Sequence, residues 1–328
     1  MKVINFLIFI FLIFKFNPVY SEGFNSITTP DGINIIATGD SGKIFRSGNS
    51  WSNWVSMNQP SVNFKSIFSL NDDVWITGDN SIVYKTHAAI SSLSLYTIPG
   101  NHILNSIFFV DNNLGFVCGN NGVVFKSVNG GINWSSVNTG LSSVNLNSIS
   151  FNDENNGIVV GNTGKVYETT NGGTSWIEAN VLTTKNLLKV KYFSDGILIS
   201  GEYGTLIIKQ SSLWETIDTR IKTDIKGITG SGINDIHVCG GGGFIRNNKN
   251  GSTKFLNFEV NPMMANLADI FYYNTNLGFA VSSLNTAIIK TTNGGTDWLL
   301  PAGTNISFIW DSKLSVDGGS GNTLCMHP

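Results

Sequence analysis

Residues 144–180 read VNLNSISFNDENNGIVVGNTGKVYETTNGGTSWIEAN and contain four strand-like runs separated by turn residues. The runs cover Leu146–Phe151, 158–161, 165–169 and 175–178. The first run alternates apolar and small polar residues, which is typical of a β-strand with one buried face. Asn162-Thr163-Gly164 and Asn171-Gly172-Gly173 supply residues that readily adopt positive φ in tight hairpins. The stretch therefore predicts one sheet of four antiparallel strands.

The same unit recurs along the chain about every 40 residues. One marker is the glycine that ends the second run, whose place a serine takes in the last unit: Gly39, Gly78, Gly119, Gly161, Gly201, Gly240 and Ser282. A second marker is a residue near the start of the first run: Ser26, Ser66, Ser106, Ser148, Lys189, Gly227 and Asp269. The two markers agree on seven units.

A single four-stranded sheet has uncovered faces and open edges, so it needs neighbours of its own kind. Four strands at this period are typical of a β-propeller, in which the blades pack face to face around a channel. We therefore predict an all-β protein, a seven-bladed β-propeller of four-stranded antiparallel blades over residues 22–303. Residues 304–328 resemble the start of another unit. Three alternatives remain open for this segment: strands that close the ring, an eighth blade, or the beginning of a further C-terminal module.

Residues 1–21 have the features of a secretory signal peptide. Lys2 is followed by an apolar core over 4–14 and by a small-residue cleavage site at Val19-Tyr20-Ser21. The apolar core is short for a membrane span, although an uncleaved anchor is the alternative. We expect a secreted, periplasmic or cell-surface protein whose mature chain does not insert into a membrane. Without this segment 18 basic and 22 acidic side chains remain, a net charge of −4, so we expect no nucleic-acid partner.

The cysteines and histidines predict neither a disulfide nor a metal site. Cys118 and Cys239 occupy one register in the third and sixth units, too far apart for a disulfide, and they are predicted to be small core residues. The histidines show no metal-ligand spacing: His87, His102, His237 and His327. We therefore predict no metal and no cofactor.

Three units share a turn of the form hydroxyl-x-Asn-x-Gly-x-x-Trp, at 127–134, 169–176 and 291–298. The asparagine can bind amides of its own turn, the glycines can take positive φ, and the tryptophan can cover the hairpin. The residues with these structural roles are Asn129, Gly131, Trp134, Asn171, Gly173, Trp176, Asn293, Gly295 and Trp298.

These turns resemble the Asp-box, or BNR repeat, with asparagine in place of aspartate. The whole unit is similar to the propeller repeat of the photosystem II assembly and stability factor family, over about residues 24–303. The resemblance implies the fold and says little about function, because such repeats share their turns more than any site. The family's arginine-rich patch is not expected here, because the only arginines are Arg46, Arg220 and Arg246 on three separate units.

The candidate binding residues follow the second strand of five units, at the rim of one face: Asp40, Asp79, Asn120, Asn162 and Glu202. The simpler interpretation is that these side chains bind amides of their own turns. Lys189 and Asp269 are expected to line the central channel, either as part of a polar ligand site or as an ion pair or solvated lining.

We therefore predict a secreted, non-enzymatic β-propeller, without catalytic residues, that acts as a protein-binding or scaffolding module. Its partner is expected to be a protein or a glycan. The alternative is an extracellular glycoside hydrolase or carbohydrate-binding propeller of the Asp-box type, which would need two carboxyl groups roughly 5 to 10 Å apart. A sialidase is disfavoured, because its site needs three convergent arginines.

Overall fold

The computed structural model describes residues 23–48, 54–57, 59, 62–88, 92–141, 143–248, 257–259 (backbone only), 266–284 and 287–300. These residues form seven antiparallel sheets, each in chain order, which confirms the all-β prediction. The signal-peptide prediction and the 304–328 segment lie outside the described residues. The described helical elements are three single 3-10 turns: Asn120–Gly122, Asn162–Gly164 and Glu202–Gly204.

The strands are, in blade one, β1 (Phe24–Thr28), β2 (Ile35–Gly39), β3 (Ile44–Ser47) and β4 (Trp54–Ser56); in blade two, β5 (Phe64–Leu70), β6 (Asp73–Gly78), β7 (Ile82–His87) and β8 (Ser94–Thr97); in blade three, β9 (Leu104–Phe109), β10 (Gly115–Gly119), β11 (Val124–Ser127) and β12 (Ser135–Val137); in blade four, β13 (Leu146–Phe151), β14 (Gly157–Gly161), β15 (Val166–Thr169) and β16 (Ile177–Glu178); in blade five, β17 (Leu187–Phe193), β18 (Gly196–Gly201), β19 (Leu206–Gln210) and β20 (Leu213–Thr216); in blade six, β21 (Ile225–Gly232), β22 (Asp235–Gly240), β23 (Ile245–Asn247) and β24 (Asn257–Glu259); and in blade seven, β25 (Leu267–Tyr272), β26 (Gly278–Ser282) and β27 (Ile288–Thr291). In blade seven Leu299 adds an isolated antiparallel bridge to Lys290, at the place of a fourth strand.

The first strands form a closed inner ring. Each of β1, β5, β9, β13, β17, β21 and β25 contacts the next, and β25 contacts β1. The ring therefore closes between blades seven and one. Seven blades are confirmed, and the alternative of an eighth blade is wrong.

The core lies between neighbouring blades. One cluster, for example, joins Trp75 and Val83 of blade two to Leu104 and Phe109 of blade three. Each fully buried side chain of this size contributes roughly 1.5–3 kcal/mol to stability. Closing the ring covers the apolar faces that an isolated blade would leave in water.

Each first strand carries a β-bulge at the same register, where one residue has no partner across the sheet. The unpaired residues are Asn25, Lys65, Asn105, Asn147, Leu188, Lys226 and Ala268. Because a bulge redirects its side chain, these seven residues lie outside the sheet ladder and can reach the next blade.

In the NGG turns, a buried hydroxyl organises the loop. In blade four the Thr169 Oγ1 accepts a hydrogen bond from the Gly173 amide at 3.0 Å and donates one to Asn171 Oδ1 at 3.0 Å. The same asparagine oxygen accepts the Ser175 amide at 2.9 Å. Gly172 and Gly173 have φ of +65° and +84°, which a residue with a Cβ rarely adopts. The turns that contain Asn129 and Asn293 repeat these bonds.

The tryptophan of each NGG turn completes an aromatic stack between blades. In blade four Trp176 meets Phe151 edge-on, and Phe151 stacks at 3.9 Å on Phe116 of blade three. The equivalent stacks are Trp75, Phe109 and Trp134, and His237, Tyr272 and Trp298. These turns therefore pack one blade against the preceding one, and the second-strand aromatic residue that each stack requires was missed by the sequence analysis.

Candidate functional site: the connection face

One face of the ring carries the second-to-third-strand turns and the blade-to-blade connections, and we call it the connection face. The NGG turns lie on the opposite face, because the strands of each blade alternate in direction. On the connection face, non-glycine residues adopt positive φ at the turn tips: Ser41, Asn80, Ser81, Asn121, Thr163 and Tyr203. A glycine with positive φ follows four of these tips, at Gly42, Gly122, Gly164 and Gly204. Consecutive left-handed residues form the tight hairpins that the sequence predicts.

All five predicted rim residues lie on this face, and each accepts a hydrogen bond from an asparagine amide. The donor and acceptor pairs, with N···O distances of 2.8–2.9 Å, are Asn25 to Asp40, Asn63 to Asp79, Asn105 to Asn120, Asn147 to Asn162, and Asn186 to Glu202. Asp40 also lies 3.6 Å from the Lys65 ammonium. Each of these side chains therefore has a structural partner, but the donor is an asparagine side chain of the first strand or of the connection before it and not an amide of the residue's own turn.

Three bulge asparagines connect neighbouring blades. The Asn105 amide nitrogen donates to Asn120 of its own blade and, at 2.8 Å, to the Leu146 carbonyl oxygen of the next blade. Asn25 and Asn147 make the corresponding pairs of bonds. The sequence signal for this role was the repeated Asn-Ser-Ile triplet at 25–27, 105–107 and 147–149, which the sequence analysis did not use.

A second set of bonds links each turn tip to the following connection. The backbone amide of a tip residue donates to a side-chain oxygen just before the next first strand: Ser41 to Asn63, Asn121 to Asn145, Thr163 to Asn186, Tyr203 to Asp224, and Gly242 to Asn266. Together, the two sets of bonds hold the second-to-third-strand turns of blades one to six in defined positions. The connection face is therefore a preorganised surface, which lowers the entropy cost of binding a partner.

A depression of about 370 Å³ lies on this face between blades two and three. It is lined by Asp79, Asn80, Asn101, His102, Ile103, Asn120 and Asn121. Asp79 Oδ2 accepts the Asn63 amide at 2.8 Å, whereas Asp79 Oδ1 is buried and has no hydrogen-bond partner among the described residues. A buried carboxylate oxygen without a donor is costly, and only a donor group that reaches it can remove that cost.

The wall of this depression combines amide groups with one apolar side chain. Ile103 is 42% exposed, although isoleucine is usually buried. The His102 backbone amide donates to Ser81 Oγ at 2.7 Å, and the Ser81 amide donates to the His102 carbonyl at 2.9 Å. These two bonds fix the connection between blades two and three against the second-to-third-strand turn of blade two. The depression therefore has a rigid wall, an unpaired acceptor and an apolar contact point.

A larger, more open hollow of about 800 Å³ lies beside blade four, lined by 163–165 and 178–184. Leu182 borders it with φ of +51° and a side chain that is 90% exposed. Lys165 and Glu178 form an exposed ion pair at 2.6 Å across its edge. Exposed ion pairs contribute little to stability, so this hollow offers mainly one apolar side chain to a partner.

The two predicted channel residues lie on the inner ring in different surroundings. Asp269 Oδ2 accepts hydrogen bonds from the Ser26 hydroxyl at 2.7 Å and the Ile27 amide at 3.3 Å, so it links blade seven to blade one. Lys189 is half-buried and makes no ion pair with Asp269. Lys191, two residues further along the same strand, is a third charged residue of the inner ring, which the sequence analysis missed.

The other ionisable candidates belong to the core. Cys118 and Cys239 are buried free thiols on β10 and β22, and burial raises the pKa of the Cys118 thiol. Among the described residues, no group of three or more His, Cys, Asp or Glu side chains could hold a metal ion. Nor does any helix within the described ranges have the length and apolarity to span a bilayer.

The ring of seven sheets and its NGG turns define the class of this protein as a BNR-type β-propeller. Residues 88–178 match the family model described as photosynthesis system II assembly factor YCF48. This match covers part of the chain and confirms the resemblance carried by the turns. No curated protein matches the sequence.

Solved structures share the fold at low sequence identity. YCF48 bound to a D1 peptide is 15% identical, with a TM-score of 0.69 over 84% of this chain and 93% of that chain. YCF48 from Cyanidioschyzon merolae is also 15% identical, with a TM-score of 0.64 over 84% of this chain and 97% of that chain. The GH74 enzyme of Niastella koreensis is 12% identical, with a TM-score of 0.67 over 85% of this chain and 54% of that chain.

Proposed function

We propose that this protein is an exported, non-enzymatic propeller that binds a segment of another protein on its connection face. The observation that carries the proposal is the depression between blades two and three, whose wall holds Asp79, several asparagine amides and the exposed Ile103. The peptide in the YCF48 structure supports a peptide partner, because the two chains share the fold. Export is proposed from the features of residues 1–21 alone.

The chemistry of the depression suits an extended peptide. The Asp79 carboxylate can accept a backbone N–H, a hydroxyl or a lysine ammonium group of the partner. The side-chain amides of Asn80, Asn101 and Asn121 can each donate and accept, which matches the alternating groups of a peptide backbone. Ile103 can bury an apolar side chain of the partner. The bonds between blades hold these groups in place before the partner arrives.

A glycoside hydrolase is the second candidate, favoured by the similarity of the fold to the GH74 enzyme. Its two carboxyl groups would have to come from the rim, where Asp40 and Asp79 lie on adjacent blades. Both accept structural amide hydrogen bonds, from Asn25 and Asn63. These bonds engage both carboxylates within the fold, whereas hydrolysis requires two carboxyl groups that are available to the substrate.

Two parallel screens of the purified protein separate these functions. A displayed library of random twelve-residue peptides is selected on the immobilised protein, and a polysaccharide panel is assayed for release of reducing sugar. We expect selected peptides that bind in solution and no sugar release. Sugar release that an Asp40→Asn, Asp79→Asn double variant loses would replace the binding function with the hydrolase. A library that yields no solution binder would also refute the proposal.

A further inference from the structure

An asparagine that precedes a glycine is chemically the most labile asparagine of a protein chain. In spontaneous deamidation the glycine nitrogen attacks the side-chain carbonyl carbon of the asparagine, and glycine has no Cβ to hinder this approach. The described ranges contain five such pairs: Asn121-Gly122, Asn129-Gly130, Asn156-Gly157, Asn171-Gly172 and Asn293-Gly294. The five pairs share one chemistry, so the fold decides which of them reacts.

The three NGG turns hold both reacting groups of their pairs. The glycine amides donate to carbonyl oxygens of the first-to-second-strand turns at 2.9–3.0 Å, from Gly130 to Asn113, from Gly172 to Asn155 and from Gly294 to Asn276. The Oδ1 atom of each turn asparagine accepts a hydroxyl from two residues before it and a backbone amide from four residues after it. The glycine nitrogen must therefore break a hydrogen bond before it can attack, and the side chain that it attacks is fixed.

The pair at Asn156-Gly157 is held in a different way. Asn156 Nδ2 donates to Asp153 Oδ1 at 3.0 Å and to Asp153 Oδ2 at 2.9 Å. Gly157 begins β14 and pairs with Phe151 on one side and Thr169 on the other. A residue inside a sheet with strands on both sides has little freedom to rotate towards its neighbour, so this pair is protected as well.

Asn121 lacks this protection. It is exposed at the tip of the second-to-third-strand turn of blade three, and its side chain makes no hydrogen bond among the described residues. The bond that closes this turn, from the Val123 amide to the Asn120 carbonyl, is 3.5 Å long, whereas the equivalent bonds of blades one, four, five and six are 3.1–3.3 Å. The turn of blade three is therefore the least tightly closed of these five, and a local opening lets the Gly122 nitrogen reach the Asn121 side chain.

We propose that Asn121 is a site of spontaneous deamidation in the folded protein. The Gly122 nitrogen forms a bond to Asn121 Cγ and loses its proton to water, while the bond from Cγ to Nδ2 breaks and the nitrogen leaves as ammonia. Water then opens the cyclic imide at either of its carbonyl groups, which gives aspartate or isoaspartate. The reaction consumes only water and needs no oxidant, reductant or cofactor.

The product would change the depression between blades two and three, because Asn121 lines it together with Asp79 and Asn120. Either product adds a carboxylate to a wall whose carboxylate was that of Asp79. Isoaspartate also lengthens the backbone of a tight turn by one atom. The connection face would thus gain negative charge as the molecule ages. The reaction itself does not rest on the proposed function.

The test incubates the purified wild type in mildly alkaline water labelled with oxygen-18 and measures conversion of each asparagine by peptide mapping and mass spectrometry. We expect Asn121 to convert at least tenfold faster than the asparagines of the four protected pairs. The same protein unfolded in urea is the control, and there we expect the five rates to agree within about threefold, because no fold protects any pair. Equal rates for Asn121 and the NGG asparagines in the folded protein would overturn the proposal. An Asn121 that stays intact while the unfolded protein reacts would also overturn it.

Isoelectric focusing of intact protein gives a second readout. The aged wild type is expected to show an additional acidic form that Asn121→Gln lacks, since glutamine closes the corresponding ring far more slowly. Asn80→Gln is the matched control, because Asn80 is an exposed amide at the tip of the neighbouring turn and is followed by serine. This variant should keep the acidic form, and circular dichroism checks that both variants are folded. The same amount of acidic form in Asn121→Gln as in the wild type would contradict the assignment to Asn121.

Discussion

The substitution Thr169→Val tests whether the NGG turns stabilise the ring through their buried hydroxyl. Thr169 is 3% exposed, and its Oγ1 accepts the Gly173 amide at 3.0 Å. Valine has the same shape, so the main change is a buried amide without an acceptor. Such a loss costs about 1–3 kcal/mol. The hydrogen bond to Asn171 Oδ1 is lost as well, although this oxygen keeps the Ser175 amide.

The assay is thermal unfolding followed by circular dichroism. For a chain of this size, a loss of about 2 kcal/mol lowers Tm by roughly 4–8 °C. Thr184→Val is the matched control, because Thr184 is exposed and no hydrogen bond to its hydroxyl is present among the described residues. Its effect is expected to stay within about 0.5 kcal/mol. Equal Tm values for Thr169→Val and the wild type would refute this account of the turn.

Three further substitutions test the charges and the close contacts. Asn293→Asp replaces an amide that donates to Asp297 at 2.9 Å by a second carboxylate, so we expect a loss of about 1 kcal/mol at pH 7 that disappears near pH 3 in thermal melts. Lys191, whose pKa is lowered from 10.5 to about 8, releases its proton earlier in the folded than in the unfolded chain. The free energy of unfolding of the wild type, measured by urea unfolding, should therefore rise between pH 8 and 10.5 relative to that of Lys191→Met. A difference between the two proteins that stays constant over this pH range would contradict the prediction. Gly164→Ala should lower Tm by several degrees more than Gly140→Ala, because both glycines have positive φ but only the Gly164 Cβ would collide with a backbone carbonyl; equal Tm values would contradict the close contact.

The period and the turns were predictable because they depend on residues close in sequence. Asn171-Gly172-Gly173 and Asn162-Thr163-Gly164 set local dihedral angles, and the first strand, Leu146–Phe151, was predicted with the bounds that the structure has. The repeat count followed from two independent markers. Seven blades, as opposed to eight, required the observed contact between β25 and β1.

Contacts between blades were not predictable, because they join residues about 40 positions apart in a register that only the packed ring defines. The stacking of Phe116 on Phe151 and the bond from Asn105 to the Leu146 carbonyl are examples. The position of Asp79 on the rim recurs at the period of the repeat, and so does that of Asn63, the asparagine that donates to it. The unpaired oxygen Asp79 Oδ1 does not, because it depends on the shape of the wall between two blades.

The channel illustrates a different limit. Lys189 and Asp269 were predicted to line it, and in the structure Asp269 joins two blades through Ser26 and Ile27. Lys191 occupies a position where other blades carry Phe68 or Thr28, so its register alone did not mark it as polar. Its importance depends on burial and on the absence of an ion-pair partner among the described residues.

The most direct test of the central claim is the affinity of a selected peptide for the wild type and for Asp79→Asn, measured by isothermal titration calorimetry. The variant keeps an oxygen for Asn63 and replaces the unpaired acceptor by a donor. The control is Glu154→Gln, an equal change of charge at an exposed turn on the opposite face. Binding at the depression predicts at least a tenfold loss for Asp79→Asn and no loss for the control. Equal affinities for all three proteins would show that the peptide binds elsewhere.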